Sequence, residues 1–166
     1  VWAGNPAAKR DRFRSPGLAA VLPLVAEGAA HFVVLQLGPG RADLARRPLP
    51  PDVLDLGPDI TDLADTAAIM AGLDLVISSC TAPLHLAGAL GVPAWGIIPF
   101  TPHFTWGLGS STSPCYPSIR LYRQGRSGQD WSDVVTRMAA DLRELARSAA
   151  NRAEAAPPAR RLGALA

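Results

Sequence analysis

The sequence predicts an α/β domain built on a doubly wound parallel sheet, and three observations lead there. Short β-branched, apolar runs alternate with amphipathic stretches along most of the chain. Alternation of that kind sets parallel strands side by side and covers them with helices on both faces. Glycine and proline, 15 and 16 residues, punctuate nearly every junction, which argues for many short elements and against a helical bundle. With right-handed crossovers between successive strands, the topology is Rossmann-like. At 166 residues the chain suits one domain, predicted over 1–149 and followed by an Ala/Arg/Pro tail at 150–166 that is expected to be disordered.

Each element has a local reason. Val1-Trp2-Ala3-Gly4 reads as the end of a strand, so the chain is expected to be a piece of something longer. Ser15-Pro16 supplies a helix cap and a first-turn proline, and Leu18, Val21, Leu22 and Val25 fall on one face before Gly28 ends the helix. His31 to Leu37 is a buried strand bounded by Gly38-Pro39-Gly40. A short helix over 41–47 runs into Pro48, Pro50 and Pro51, and Val53 to Leu56 forms a short strand closed by Gly57-Pro58. Asp62 to Leu73 is a helix with Leu63, Ala67, Met70 and Ala71 inward. Asp74 to Ser78 is a strand, Ala82 to Leu90 a helix stopped by Gly91, and Pro93 to Pro99 another strand. A neutral loop spans Thr101 to Ser118, and Ile119 to Tyr122 is the last strand. Asp130 to about Ser148 is amphipathic, with Val134, Val135, Met138, Leu142 and Leu145 inward.

Composition limits the function. Hydrophobic residues make up 48% and charged residues 18%, with a net charge of +2, too small to argue for nucleic acid. The aromatics are not interleaved with basic residues as a nucleic-acid surface would need. Leu75 to Ile119 lacks any formal charge, but its serines, prolines and His85 break it too often for a spanning helix, so no transmembrane segment is expected. Cys80 and Cys115 cannot build a disulfide framework, and His31, His85 and His103 show no metal-ligand spacing. A GxSxG elbow and a P-loop are both missing. Gly38-Pro39-Gly40 lacks the third glycine of a dinucleotide fingerprint, since Asp43 stands in its place.

An open parallel sheet binds its ligands beyond the carboxyl ends of the strands. That rule selects the loops at 4–14, 36–40, 57–66, 78–82 and 99–118. The first holds Lys9, Arg10, Arg12 and Arg14 against Asp11, a basic cluster able to meet an anion or simply to sit in water. Ser78 to His85 takes a strand directly into a helix, whose first amides suit a phosphate or diphosphate. Thr81 adds a hydroxyl there, and His85 follows one turn on. The same residues are also what a capped helix with a packing histidine would show.

In their order, these segments resemble the C-terminal domain of heptosyltransferase-like, family 9 glycosyltransferases, most of all versions at the end of bacterial tetratricopeptide-repeat proteins. The resemblance rests on Val1 to Pro6 with Lys9, Asp11 and Arg14-Ser15, on Leu35 to Gly38, and on Asp62 to Ala67. It is densest in Leu73 to Ser78, Thr81-Ala82, His85 to Gly91 and Pro93, and continues in Pro99-Phe100, Tyr116-Pro117 and Arg120 to Gln124. It implies the C-terminal, nucleotide-sugar-binding half of a GT-B fold, inactive without an N-terminal acceptor domain. The nucleotide-sugar would be a substrate, with no metal or cofactor required. Asn5, Lys9, Thr81, Ala82 and His85 would line the donor diphosphate and sugar, and Gln36, Asp65 and Thr66 would lie near the nucleoside. The resemblance also implies a cytoplasmic location, including the inner face of the membrane, and a partner in the acceptor domain or in upstream repeats. The sequence departs from the family where Cys80 replaces the aspartate before Thr-Ala, and where the Phe104 to Ser111 stretch carries no charge. These departures motivate the alternative of a catalytically degenerate binding or scaffold module. A third reading is an unrelated domain that binds a mononucleotide or phosphorylated metabolite.

Overall fold

The computed structural model describes residues 1–125, 128 and 130–155. Among the described residues, five parallel-paired strands and five α-helices follow in the order α1 (Asp11–Arg14), α2 (Leu18–Ala26), β1 (Val33–Val34), β2 (Leu54–Asp55), α3 (Leu63–Ala71), β3 (Val76–Ser79), α4 (Ala82–Ala89), β4 (Ala94–Ile98), β5 (Ile119–Arg123) and α5 (Ser132–Ala155). Short 3₁₀ turns lie at Gly38–Ala45, Gly57–Asp59 and Phe104–Trp106. β1 pairs with β2, and β3, β4 and β5 pair in that order, all parallel.

The extended segment at residues 1–3 joins the two sets. The Val1 nitrogen donates to the Ile77 carbonyl at 2.9 Å, and the Ser79 amide donates to the Val1 carbonyl at 2.9 Å. On its other flank, the Trp2 and Ala3 amides both donate to Gln36 Oε1, at 2.9 and 3.0 Å, while Gln36 Nε2 donates to the Ala3 carbonyl. The spatial order is therefore β2, β1, residues 1–3, β3, β4, β5. The chain leaves the middle in one direction, then returns to build in the other, so a topological switch point lies between residues 1–3 and β3.

The pleat sorts side chains to two faces. Trp95, Ile97 and Tyr122 pack with Leu18, Val21 and Leu24 of α2 and with Val134, Met138 and Leu142 of α5. Ala94, Ile98, Ile119 and Leu121 pack with Met70 of α3 and with Leu84 and Ala87 of α4. Helices thus cover both faces of a parallel α/β sheet, in an arrangement compatible with a Rossmann-like domain. Among the described residues, no helix is long and apolar enough to cross a membrane.

Several local expectations shift. Ser15 does not cap α2; the N-cap is Gly17, at φ 78°, and Asp43 Oδ2 accepts from the Leu18 amide at 3.0 Å. Only Val33–Val34 and Leu54–Asp55 pair within the longer predicted strands, and the short helix expected over 41–47 is the 3₁₀ turn at Gly38–Ala45. On α3 Met70 is buried as expected, but Leu63 is 61% exposed and Ala71 faces outward, because Thr66 shares the inner face with Met70. Leu145 lies outside the core, at 39% exposure. The last helix continues to Ala155, past the expected boundary at 149. The rest of the predicted tail, 156–166, lies outside the described residues.

Candidate functional site

The switch point places the loop after residues 1–3 against the start of α4. Gly4 makes that approach possible. A Cβ there would stand 2.6 Å from Asp11 Oδ1, 2.9 Å from Thr81 Cγ2 and 3.2 Å from Arg14 Nη2. From Gly4 a polar relay crosses the gap between the two strand ends. The Gly4 amide donates to Ser15 Oγ at 2.9 Å, and Ser15 Oγ donates to Asp11 Oδ2 at 3.0 Å. Asp11 Oδ1 accepts from Arg14 Nε at 3.1 Å, and Arg14 Nη1 donates to the Cys80 carbonyl at 3.3 Å. Asp11 is 6% exposed, so its charge needs this pairing.

Beside the relay lies a cavity of about 160 Å³, walled by Arg10, Phe13, Arg14, Cys80, Pro99 and His103 among others. Every one of those residues comes from a segment that follows the carboxyl end of a strand. The wall combines Arg10 and Arg14, opposed by Asp11, with apolar surface from Phe13, Pro99 and Pro102, which suits an anionic group attached to a ring or chain.

The loop from Pro99 onward is held in place from two directions. Trp106 is fully buried, and its Nε1 donates to Cys80 Sγ at 2.9 Å. Burial pushes the Cys80 thiol up, against the opposing pull of the Trp106 indole and the His103 amide. It is therefore a neutral packing group rather than a nucleophile. From β5, Arg123 sends Nε to the Ser110 carbonyl at 2.6 Å, Nη1 to the Gly107 carbonyl at 3.1 Å and Nη2 to the Trp106 carbonyl.

The residues expected from the sequence to form the site divide into groups. Thr81 is the N-cap residue of α4, with Ala82 first in the helix. The Thr81 hydroxyl turns back to the Ser79 carbonyl at 3.2 Å and makes no cap bond. His85 stacks on Trp106 with ring centroids 4.7 Å apart, and its Nδ1 lies 3.1 Å from the Tyr116 hydroxyl. Gly88 permits this, since a Cβ there would stand 2.5 Å from the Tyr116 ring. Burial, with the nearby charge of His103 second, holds the His85 imidazole below its usual value. Asn5 Oδ1 accepts from the Ala7 amide at 2.9 Å and shapes its own turn. Lys9 is exposed, and none of Asn5, Lys9, Thr81, Ala82 and His85 is among the residues that wall the cavity.

The expected nucleoside side is built from structural ties. Gln36 holds residues 1–3, as described. Asp65 Oδ2 accepts from the Thr61 amide at 2.9 Å and its hydroxyl at 2.6 Å, while the Asp65 amide donates to Asp62 Oδ1 at 2.9 Å. With the Asp62 amide donating to Asp65 Oδ2 at 3.4 Å, the Asp62–Asp65 pair forms a capping box at the start of α3, and the Thr61 hydroxyl bond leads the causes that hold the Asp65 carboxyl below its usual value. Thr66 Oγ1 donates to the Asp62 carbonyl at 3.2 Å. Asp65 thus takes part in the helix cap, and Thr66 ties its hydroxyl to the first turn of α3. Of the residues that do wall the cavity, Arg10 and Arg14 belong to the basic cluster read from the sequence at 1–14, while His103 has no sequence signal for this place.

Among the described residues, no three His, Cys, Asp or Glu side chains converge on a point that could hold a metal. No family model matches the chain, and no solved structure matches it. Over 99 residues the chain is 38% identical to Protein FlbA of Caulobacter vibrioides, a match that covers 59% of this chain and 15% of the length of that protein.

Proposed function

We propose that this domain is the donor-binding half of a metal-independent GT-B glycosyltransferase, which moves a sugar from a nucleotide-sugar to an acceptor held by another domain. The observation that carries the reading is the cationic cavity at the switch point, beside the start of α4. Glycosyl transfer releases a nucleoside diphosphate, so negative charge develops on the diphosphate as the sugar bond breaks. Fixed cations and helix amides aimed at that position stabilise the departing group. At the start of α4 only the Ala82 amide is left to offer, since Pro83 carries no N–H and the Leu84 amide donates to the Thr81 carbonyl at 3.1 Å, and the helix dipole adds partial positive charge. Turnover requires the acceptor domain, and the setting proposed is cytoplasmic, including the inner face of the membrane.

Calorimetric titration with a panel of nucleoside diphosphates and nucleotide-sugars tests this reading. Binding tighter than about 1 mM, worth about 4 kcal/mol, with a preference for one base is the expected result. A folded domain that binds none of them overturns it.

One observation favours a second reading, a degenerate module serving as a scaffold behind tetratricopeptide repeats. The Cys80 thiol is 4% exposed and engaged by Trp106, so it offers nothing to sugar hydroxyls. A gain of donor hydrolysis in Cys80→Asp would count against a purely structural role. No gain, in a variant that still binds the donor, would support it.

A further inference from the structure

We infer that the side chain which grips phosphate in this crevice is Arg14, oriented by Asp11 and the Cys80 carbonyl, and that Lys9 is not the phosphate ligand. The inference rests on the proposed donor site and sharpens it by assigning the contact.

Three observations carry it. Arg14 is the cation that physically spans the switch point, since it is bonded to Asp11 on one side and to the Cys80 carbonyl at the end of β3 on the other. A guanidinium has five N–H donors, of which these bonds use two. Its Nη2 has no partner among the described residues and lies close to Gly4. The Arg14 side chain is 32% exposed while its partner Asp11 is 8% exposed, so the guanidinium is anchored on a buried carboxylate and still reachable from solvent.

The charge balance agrees. Along the cavity wall, Arg10 and Arg14 stand against Asp11, which leaves one net positive charge before His103 is counted. A planar guanidinium already held on two sides loses little freedom when it meets phosphate oxygens, and it can present paired donors to them. Lys9, exposed and outside the wall, would have to order a flexible stem for a single point contact.

The test compares Arg14→Lys, Arg14→Gln and Lys9→Ala with the parent protein. Titrants are the nucleoside diphosphates, their parent nucleosides and inorganic pyrophosphate, and thermal melts confirm folding. The expected result is that Arg14→Gln weakens diphosphate binding by about tenfold to a hundredfold, the scale of a lost charge-assisted hydrogen bond. Nucleoside binding should stay unchanged, a selectivity that general damage to the fold would not produce. Arg14→Lys should recover only part of the loss, and Lys9→Ala should change affinity by less than about twofold. If Arg14→Gln does not fold, Arg14→Lys alone decides, because it keeps the charge and removes the fork. Parent-like diphosphate affinity in the folded Arg14 variants, or a large loss in Lys9→Ala, overturns the inference while leaving the donor-site reading intact. Arg14-dependent pyrophosphate binding without any nucleotide preference keeps the inference and overturns the donor reading. Binding of neither overturns both.

Discussion

β4 runs for five residues, every one buried, between parallel neighbours on both sides. β1 and β2 pair over only two residues each, and Leu54 of β2 is 55% exposed. The first region is held by apolar burial on both faces, with Ile97 and Ile98 fully enclosed. In the second, polar side chains make the ties that strand pairing leaves unmade. Gln36 fixes residues 1–3, and Arg41 grips Asp55 through two bonds of 2.9 and 2.7 Å while also donating to the Gln36 carbonyl. Where strands are too short to be held by their ladders, specific side chains set the backbone, and the candidate site lies on the seam between the two regimes.

That contrast can be broken at four points. Ile97→Ala should cost the most, about 2–5 kcal/mol by chemical denaturation, because it leaves a hole between α2, α5 and the sheet. A loss well under 1 kcal/mol would show that burial does not hold the β3–β5 region. Gln36→Leu should cost about 1–3 kcal/mol, since it strips partners from the Trp2 and Ala3 amides. Hydrogen exchange at those two amides should rise more than at Ile97.

Asp55→Asn should cost about 1 kcal/mol or less at neutral pH, as its ion pair is partly exposed. The Arg41 bond is the first cause holding the Asp55 carboxyl below 3.8. A carboxyl depressed in the folded state stabilises above its unfolded value and loses that contribution as pH falls through its folded one. The parent should therefore lose more stability than Asp55→Asn on acidification below about pH 4.

The smallest effect belongs to His85, whose folded value lies below 6.5. Folding favours its neutral form, so its contribution is full above 6.5 and declines as pH falls from there toward the folded value. His85→Gln should flatten the stability profile in that window, and an unchanged profile would mean that the stack on Trp106 tolerates the charged ring.

Much of the fold was legible in the sequence because its strongest signals are local. β4 is a continuous apolar run between prolines, and Gly91, which stops α4, adopts the positive φ of 70° that such a stop requires. The errors arise where a distant group decides. Asp43, 25 residues away, caps α2, so local capping preference selected Ser15 wrongly. Leu63 looked like a core residue by spacing, yet the capping box fixes where α3 begins and leaves that position outside. In the candidate site the basic cluster was visible, but not which of its members faces the crevice. That choice depends on the turn through α1, which sets Arg14 against Asp11 and leaves Lys9 outside the cavity wall.

Arg123 has a consequence for how this protein can change over evolutionary time. It recognises the loop through the carbonyls of Trp106, Gly107 and Ser110, groups that every amino acid carries. The outward side chains of Phe104 and Leu108, 87% and 83% exposed, take no part in that recognition. Mutation can therefore rewrite those positions at little cost to the loop's path, so the chemistry of this surface can vary while the sheet beneath stays the same.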